Sequence, residues 1–182
     1  MYPRRPRLTH AVFVAALAAF AVAGCGGTAS GETEQIRLRK VSGPGFTFSA
    51  PVGREIERTP RSVTVLPAQE GSQELESVTI FPLVKPFRPA LWPQAAKELD
   101  SVAERLAESL GGELERRRTV RIGGLRGRQY EIGYEREGVE LRQRLTLLLS
   151  RRTEFQLLCR WEASSDTPED CGILETTFKT SA

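Results

Sequence analysis

Residues 113–162 read ELERRRTVRIGGLRGRQYEIGYEREGVELRQRLTLLLSRRTEFQLLCRWE, and the alternation within them decides the fold class. Apolar and polar side chains trade places with a period of two, the spacing of a strand with one buried face. Strands are expected at Glu113–Ile122, Leu125–Arg136, Val139–Leu149 and Thr153–Glu162, with Gly123-Gly124, Gly138 and Arg151-Arg152 in the turns between them. Connections this short make an antiparallel meander. In the third strand Val139, Leu141, Leu145, Leu147 and Leu149 share one face; in the fourth, Phe155, Leu157, Cys159 and Trp161 do the same. Leu148 and Leu158 point the other way, so the central strands are expected to be covered on both faces.

Upstream the period changes. From Pro93 to Leu110 the apolar positions Ala95, Leu99, Val102, Leu106 and Leu110 fall on one stripe at helical spacing. Pro93 suits the first turn and Gly111-Gly112 the C-terminal cap. Before the helix lie short strands expected at Gly45–Pro51, Glu55–Arg58, Ser62–Leu66 and Leu75–Val84, and Ile36 and Leu38 hint at one more. After the meander a short helix is expected, with Asp166 or Thr167 as its cap, Pro168 in its first position, and Cys171, Leu174 and Phe178 as its buried stripe. The reading is an α+β domain over residues 45–182: an antiparallel sheet of about six strands, one long helix and one short C-terminal helix.

The chain begins with a different kind of signal. Arg4, Arg5 and Arg7 precede an apolar run of 14 residues, Ala11 to Gly24, with small residues at its end. A spanning helix needs about 18 or more, so the run reads as a secretory leader rather than a retained anchor. Val22-Ala23-Gly24-Cys25 closely resembles the lipobox of bacterial lipoproteins. That resemblance implies a diacylglyceryl thioether on Cys25, removal of residues 1–24, a tether over 25–44, and residence on the extracytoplasmic face of the cell membrane (the periplasmic side where there is an outer membrane). Two acyl chains hold where one gives only marginal binding.

Processing at Cys25 changes the composition that matters. The chain carries 26 basic and 23 acidic residues, and losing Arg4, Arg5 and Arg7 leaves 23 against 23. The basic excess therefore belongs to the leader, and no nucleic-acid partner is expected. His10, the only histidine, leaves with it, which removes Ser-His and Cys-His catalysis and His-ligated zinc. The expectation is a protein without enzymatic activity, cofactor or metal. Of three cysteines, Cys25 is taken by lipid, and Cys159 and Cys171 read as a disulfide in an oxidising compartment; two free thiols or a redox pair are the alternatives.

The opening GFTFSAP-V-G at residues 45–53, the early strands, one long helix, four-strand meander and closing helix resemble the PsbP-like αβα sandwich. That family includes extrinsic photosystem subunits, a nuclear Ran-release factor and many bacterial lipoproteins. The resemblance covers about residues 40 to 180 and implies the fold, with no binding residue carried over. Arg54 departs from the pattern, since many relatives place an aromatic there.

Three groups are candidates for function. Arg116, Arg117, Arg118, Arg121, Arg126 and Arg128 cluster on two strands expected to pair. They either hold an anionic polymer or lipid headgroup, for which guanidinium forks are suited, or form a solvated surface interleaved with Glu113, Glu115 and Glu131. Phe87, Leu91 and Trp92 either form an apolar lip or plug the gap between helix and sheet. The carboxylates, among them Glu131, Glu135, Glu137 and Glu140, offer no convincing pair for histidine-free hydrolysis. The expected role is a membrane-anchored binding or assembly module acting on an envelope protein or anionic polymer, with a carrier or sensor of a small apolar or anionic ligand as one alternative and a histidine-free cell-wall hydrolase as the other.

Overall fold

The computed structural model describes residues 36–181, so the readings on Val22–Cys25 and on the leader lie outside the described residues. The long alternating segment forms four strands: β6 (Glu113–Ile122), β7 (Leu125–Arg136), β8 (Val139–Leu149) and β9 (Thr153–Glu162). Before them come β1 (Leu38–Gly43), β2 (Phe46–Pro51), β3 (Ile56–Arg58), β4 (Ser62–Val65), β5 (Leu75–Pro82), a 3₁₀ turn at Pro89–Leu91 and α1 (Trp92–Ser109). Helix α2 (Glu169–Thr177) and the two-residue β10 (Lys179–Thr180) follow.

Among the described residues there are ten strands in two sheets, where one sheet of about six was expected. Seven strands form an antiparallel sheet in the order β3-β4-β5-β9-β8-β7-β6, and β1-β2-β10 form a second, small sheet. Strand β1 lies inside the stretch read as tether, and pairs with β2 from Leu38↔Pro51 to Gly43↔Phe46. The strand hinted at by Ile36 and Leu38 is thus present, but those two side chains are exposed and Val41 alone among the residues of β1 is buried.

Register decides what each face buries. Tyr130, Ile132 and Tyr134 of β7 lie beside Leu145, Gln143 and Leu141 of β8, on the face that α1 covers. On the opposite face Val63, Val78 and Leu157 form a row, next to Leu148 and Phe155. The small sheet and α2 close this side with Val41, Phe46, Phe48, Leu174 and Phe178. Thus the odd positions of β8 and of β9 point to opposite faces, and both faces are covered.

The helix ends follow local chemistry. Helix α1 buries Trp92, Leu99, Ala103 and Ala107, whereas Val102, expected in the stripe, is 37% exposed at its margin. It closes with a Schellman motif: Gly112 N–H donates to the Ala107 carbonyl, Gly111 N–H to that of Glu108, and Gly111 takes φ +66°. The expected cap of α2 is absent; Pro168 is the N-cap residue and no side chain bonds there. Phe178 is buried, but one residue past the helix in extended backbone. Cys159 and Cys171 are joined as a disulfide with their Cα atoms 5.7 Å apart, which ties the start of α2 to β9.

Candidate functional site

The β6–β7 pairing sets Arg116 opposite Glu131, Arg118 opposite Gln129, Thr119 opposite Arg128 and Arg121 opposite Arg126. Side chains alternate across a strand, so Arg117, Arg121, Arg126 and Arg128 share the α1 face while Arg116 and Arg118 share the other. The five residues Arg116, Arg118, Arg121, Arg126 and Arg128 therefore do not form one surface.

On the α1 face the arginines dock the helix. Arg128 grips Asp100 with two parallel bonds, Nε to Oδ1 at 2.9 Å and Nη2 to Oδ2 at 3.0 Å. The Tyr130 hydroxyl donates to Asp100 Oδ1 at 2.8 Å, and burial, reinforced by that carboxylate, pushes its pKa upward. Arg117 reaches Glu104 at 3.4 Å, and the Arg126 guanidinium lies 4.3 Å from the Trp92 ring centre. Arg121 donates to the Gly124 carbonyl at 3.2 Å.

A second polar network runs under α2. Arg118 Nε donates to Gln129 Oε1 at 2.7 Å, and Gln129 Nε2 donates to Thr146 Oγ1 and Glu175 Oε1 at 3.0 and 2.9 Å. Arg144 pairs with Glu131 at 2.9 Å and Glu175 at 3.7 Å; Arg116 meets the same Glu131 at 3.6 Å. Burial raises the Glu175 pKa against the pull of Arg144, Gln129 and Arg118. Sequence reasoning missed Arg144. Its signal was an even-numbered β8 position beside Thr146 and Leu148, the phase that the second face buries.

Arg54 organises a third group. Its Nε donates to the Leu66 carbonyl at 2.7 Å, Nη1 lies 3.3 Å from Asp170, and Nη2 lies 3.6 Å from Glu76. Glu76 is 4% exposed, and burial pushes its pKa up to about 7, against the opposing charge of Arg54. The residue that departs from the family pattern thus joins the β2–β3 connection, β5 and the first turn of α2.

Arg116, Arg117, Arg118, Arg121 and Arg126 stay exposed while they contact groups of the chain itself, and the concave geometry lies elsewhere. A cleft of about 370 Å³ runs between the first three turns of α1, the loop after β5 and the β8–β9 end. Phe87, Leu91, Leu99, Val102 and Leu149 supply its apolar wall; Lys85, Gln94, Glu98 and Glu154 supply polar groups. Trp92 is buried, edge-on to Phe87 at 6.5 Å, so it plugs the helix–sheet gap. Leu91 stands 48% exposed on the rim, so the apolar segment divides between plug and lip. A second hollow of about 310 Å³ gathers Glu113, Glu115, Glu135 and Glu140 around Arg142 and Tyr134. Among the described residues no His, Cys, Asp and Glu side chains group to hold a metal ion.

No protein-family profile matches the chain, and no curated protein does either. Solved structures do. The solution structure of cyanobacterial PsbP from Synechocystis sp. PCC 6803 matches with a TM-score of 0.55 at 15% identity, over 83% of this chain and 96% of that one. The fold is PsbP-like. LpqN of Mycobacterium tuberculosis, described as involved in cell envelope biogenesis, matches with a TM-score of 0.55 at 12% identity, over 81% of this chain and 92% of its own. A Bacteroides thetaiotaomicron VPI-5482 protein matches with a TM-score of 0.53 at 13% identity over 79% of this chain, which spans about half (48%) of it. At these identities the likeness is one of fold.

Proposed function

We propose that this chain is an exported lipoprotein, held by lipid on Cys25 at the extracytoplasmic face of the cell membrane, that works by binding rather than catalysis. The cleft beside α1 is the observation that carries the binding role. Its apolar wall is built by a helix and a proline-rich loop, and its few polar groups can orient an occupant. The anchor is supported by the Val22-Ala23-Gly24-Cys25 motif, and export by a disulfide suited to an oxidising compartment. No helix among the described residues is long and apolar enough to cross a membrane. The fold-level likeness to an envelope-biogenesis protein gives this reading its setting, and an envelope protein or anionic wall polymer is the partner class it favours.

The cleft volume, about 370 Å³, also falls within the ~300–1,000 Å³ range of small-molecule sites, which favours a carrier as the second reading. A photo-crosslinking residue placed at Val102 in living cells separates the two. The binding module yields one discrete protein adduct; the carrier yields a mass increase of small-molecule size. Crosslinks that form equally well from an exposed position away from the cleft, such as Gln69, overturn both. The anchor is read separately, from the intact mass of membrane-extracted protein: an unmodified Cys25 overturns it.

A further inference from the structure

The antiparallel topology sorts the connections of the large sheet to two ends, and their charges differ. At one end lie residues 58–62, 82–91, 122–126 and 149–153, placed together by the pairings Arg58↔Val63, Ile80↔Phe155, Leu149↔Arg126 and Ile122↔Leu125. These four segments carry seven cations (Arg58, Arg61, Lys85, Arg88, Arg126, Arg151, Arg152), with Glu57 and Glu154 the carboxylates next to them in the chain. At the other end, residues 66–74, 110–115, 135–140 and 162–170 carry eleven carboxylates and one cation, Arg136; the short 52–55 connection adds Arg54 and Glu55. Helix α1 begins near the basic end, so the positive pole of its dipole adds to that charge.

The basic end also presents apolar side chains. Leu83 N–H donates to the Arg152 carbonyl at 2.9 Å and Phe87 N–H to the Arg151 carbonyl at 2.8 Å. The chain between these two feet stands out as an arch. At its crown Val84 is 99% exposed, followed by Lys85 and Pro86, and Leu91 lies beyond the second foot. Lys85, Arg88, Arg151 and Arg152 are exposed and make no ion pair among the described residues, whereas Arg116, Arg117, Arg128, Arg142 and Arg144 each sit beside a carboxylate.

We propose that this end docks on an anionic membrane surface, with Val84 and Leu91 entering the interface and Lys85, Arg88, Arg151 and Arg152 meeting the headgroup phosphates. Single apolar side chains set among unpaired cations match the layered chemistry of a bilayer surface, where phosphate lies above hydrocarbon. A specific protein partner needs a contiguous patch of several hundred Å², which the prolines and cations of this arch interrupt. The acidic end is repelled by the same surface, so charge alone fixes the orientation. The docking requires neither lipid on Cys25 nor an occupant in the cleft.

The test is co-sedimentation of the full chain, with Cys25→Ser in every arm, on vesicles of phosphatidylcholine alone or mixed with phosphatidylglycerol. Residues 1–24 are common to all arms and cancel. The chain binds the anionic vesicles more tightly, and added salt weakens that preference. Replacing Lys85, Arg88, Arg151 and Arg152 with Ala lowers the anionic affinity by about tenfold or more. Replacing Lys40, Arg105, Arg136 and Arg142 with Ala makes the same change in net charge and leaves it within about twofold. Val84→Ser, a change at a fully exposed position that leaves the fold untouched, weakens binding a few-fold. The proposal is overturned by any of three results: no preference of the parent chain for anionic vesicles, equal losses in the two quadruple variants, or an acidic protein captured through these four cations without vesicle binding.

Discussion

Glu76 is the residue whose chemistry reaches furthest. It faces Cys159 across β5 and β9, is almost wholly buried, and has Arg54 as its opposite charge and Asp170 and Glu74 as like charges. Burial raises its pKa to about 7 from the 4.5 of an exposed chain. Between those values the folded state holds a proton that the unfolded state has lost. Stability from this group is therefore fully present below about pH 4.5 and is lost as pH rises toward 7, by roughly 3 kcal/mol in all. Glu76→Gln keeps the shape and removes the titration, so urea midpoints measured at pH 5 and pH 8 should draw together in the variant. An unchanged gap between the two midpoints would assign the pH dependence to other groups. The alternation of LESVTIFP sets Glu76 in the inward phase of Val78, so its burial was legible locally, whereas its partners Arg54 and Asp170 come from distant parts of the chain and were not.

At the scale of elements, the part-buried polar attachment of α1 to the sheet centres on Asp100. Asp100 accepts from both Arg128 and Tyr130, and Arg128 is only 15% exposed in its side chain. Asp100→Ala leaves that guanidinium part-buried and unpaired, at a cost of about 3 kcal/mol in thermal or urea unfolding. The double change Asp100→Leu with Arg128→Met removes both charges and should recover most of the loss; no recovery would mean that helix packing, not the ion pair, was disturbed. A smaller effect is expected at the β7–β8 turn, where Glu137 takes φ 55° ahead of Gly138. Left-handed backbone costs most side chains about 1 kcal/mol, so Glu137→Asn should raise the melting temperature, and a lower one would contradict it. Legibility follows the same physics. The bounds of β6–β9 were readable because alternation and glycine turns are local, and α1 because its stripe is. Strand β1 was legible only as a hint at Ile36 and Leu38, because a single one of its residues is buried. The α2 cap was misread because Asp166 and Thr167 fit a capping preference that no bond fulfils. The arginine cluster was visible as composition, yet its division between two faces depends on register, and the helix carboxylates Asp100 and Glu104 lie 28 and 13 residues from the Arg128 and Arg117 that they hold.

In the whole molecule, the separation of charge along the strands could not be read from totals, because residues 25–182 carry 23 basic and 23 acidic residues. It arises because successive turns of an antiparallel sheet fall at opposite ends, so acidic and basic connections alternating in sequence become segregated in space. The covering of the second face has a similar origin in distant parts: β1, β2 and β10 come from the two ends of the domain, and α2 is only nine residues long. A helix so short is marginal alone, and its position rests on Leu174, the Arg54–Asp170 contact and the bridge from Cys171 to Cys159. Closing a loop with a separation of 12 residues contributes about 3 kcal/mol by restricting the unfolded chain. Changing Cys159 and Cys171 to Ala should therefore lower stability by about that amount. Where the loss appears is the sharper test. Helix α2 lies over the core of Phe46, Phe155 and Phe178, whereas α1 packs on the other face against Tyr130 and Leu147. Amide exchange measured at pH 7 should accelerate in α2 and in β10, the strand it delivers to β2, while α1 opens only with the global transition. Asp170 adjoins Cys171, and Glu76 opposes Cys159, so the bridge and the buried charges fasten the same turn. Combining the cysteine changes with Glu76→Gln should then give a sum that departs from additivity by more than about 0.5 kcal/mol. Uniform acceleration across both helices together with additive losses would show that the bridge acts on the unfolded chain alone and does not hold α2 in place.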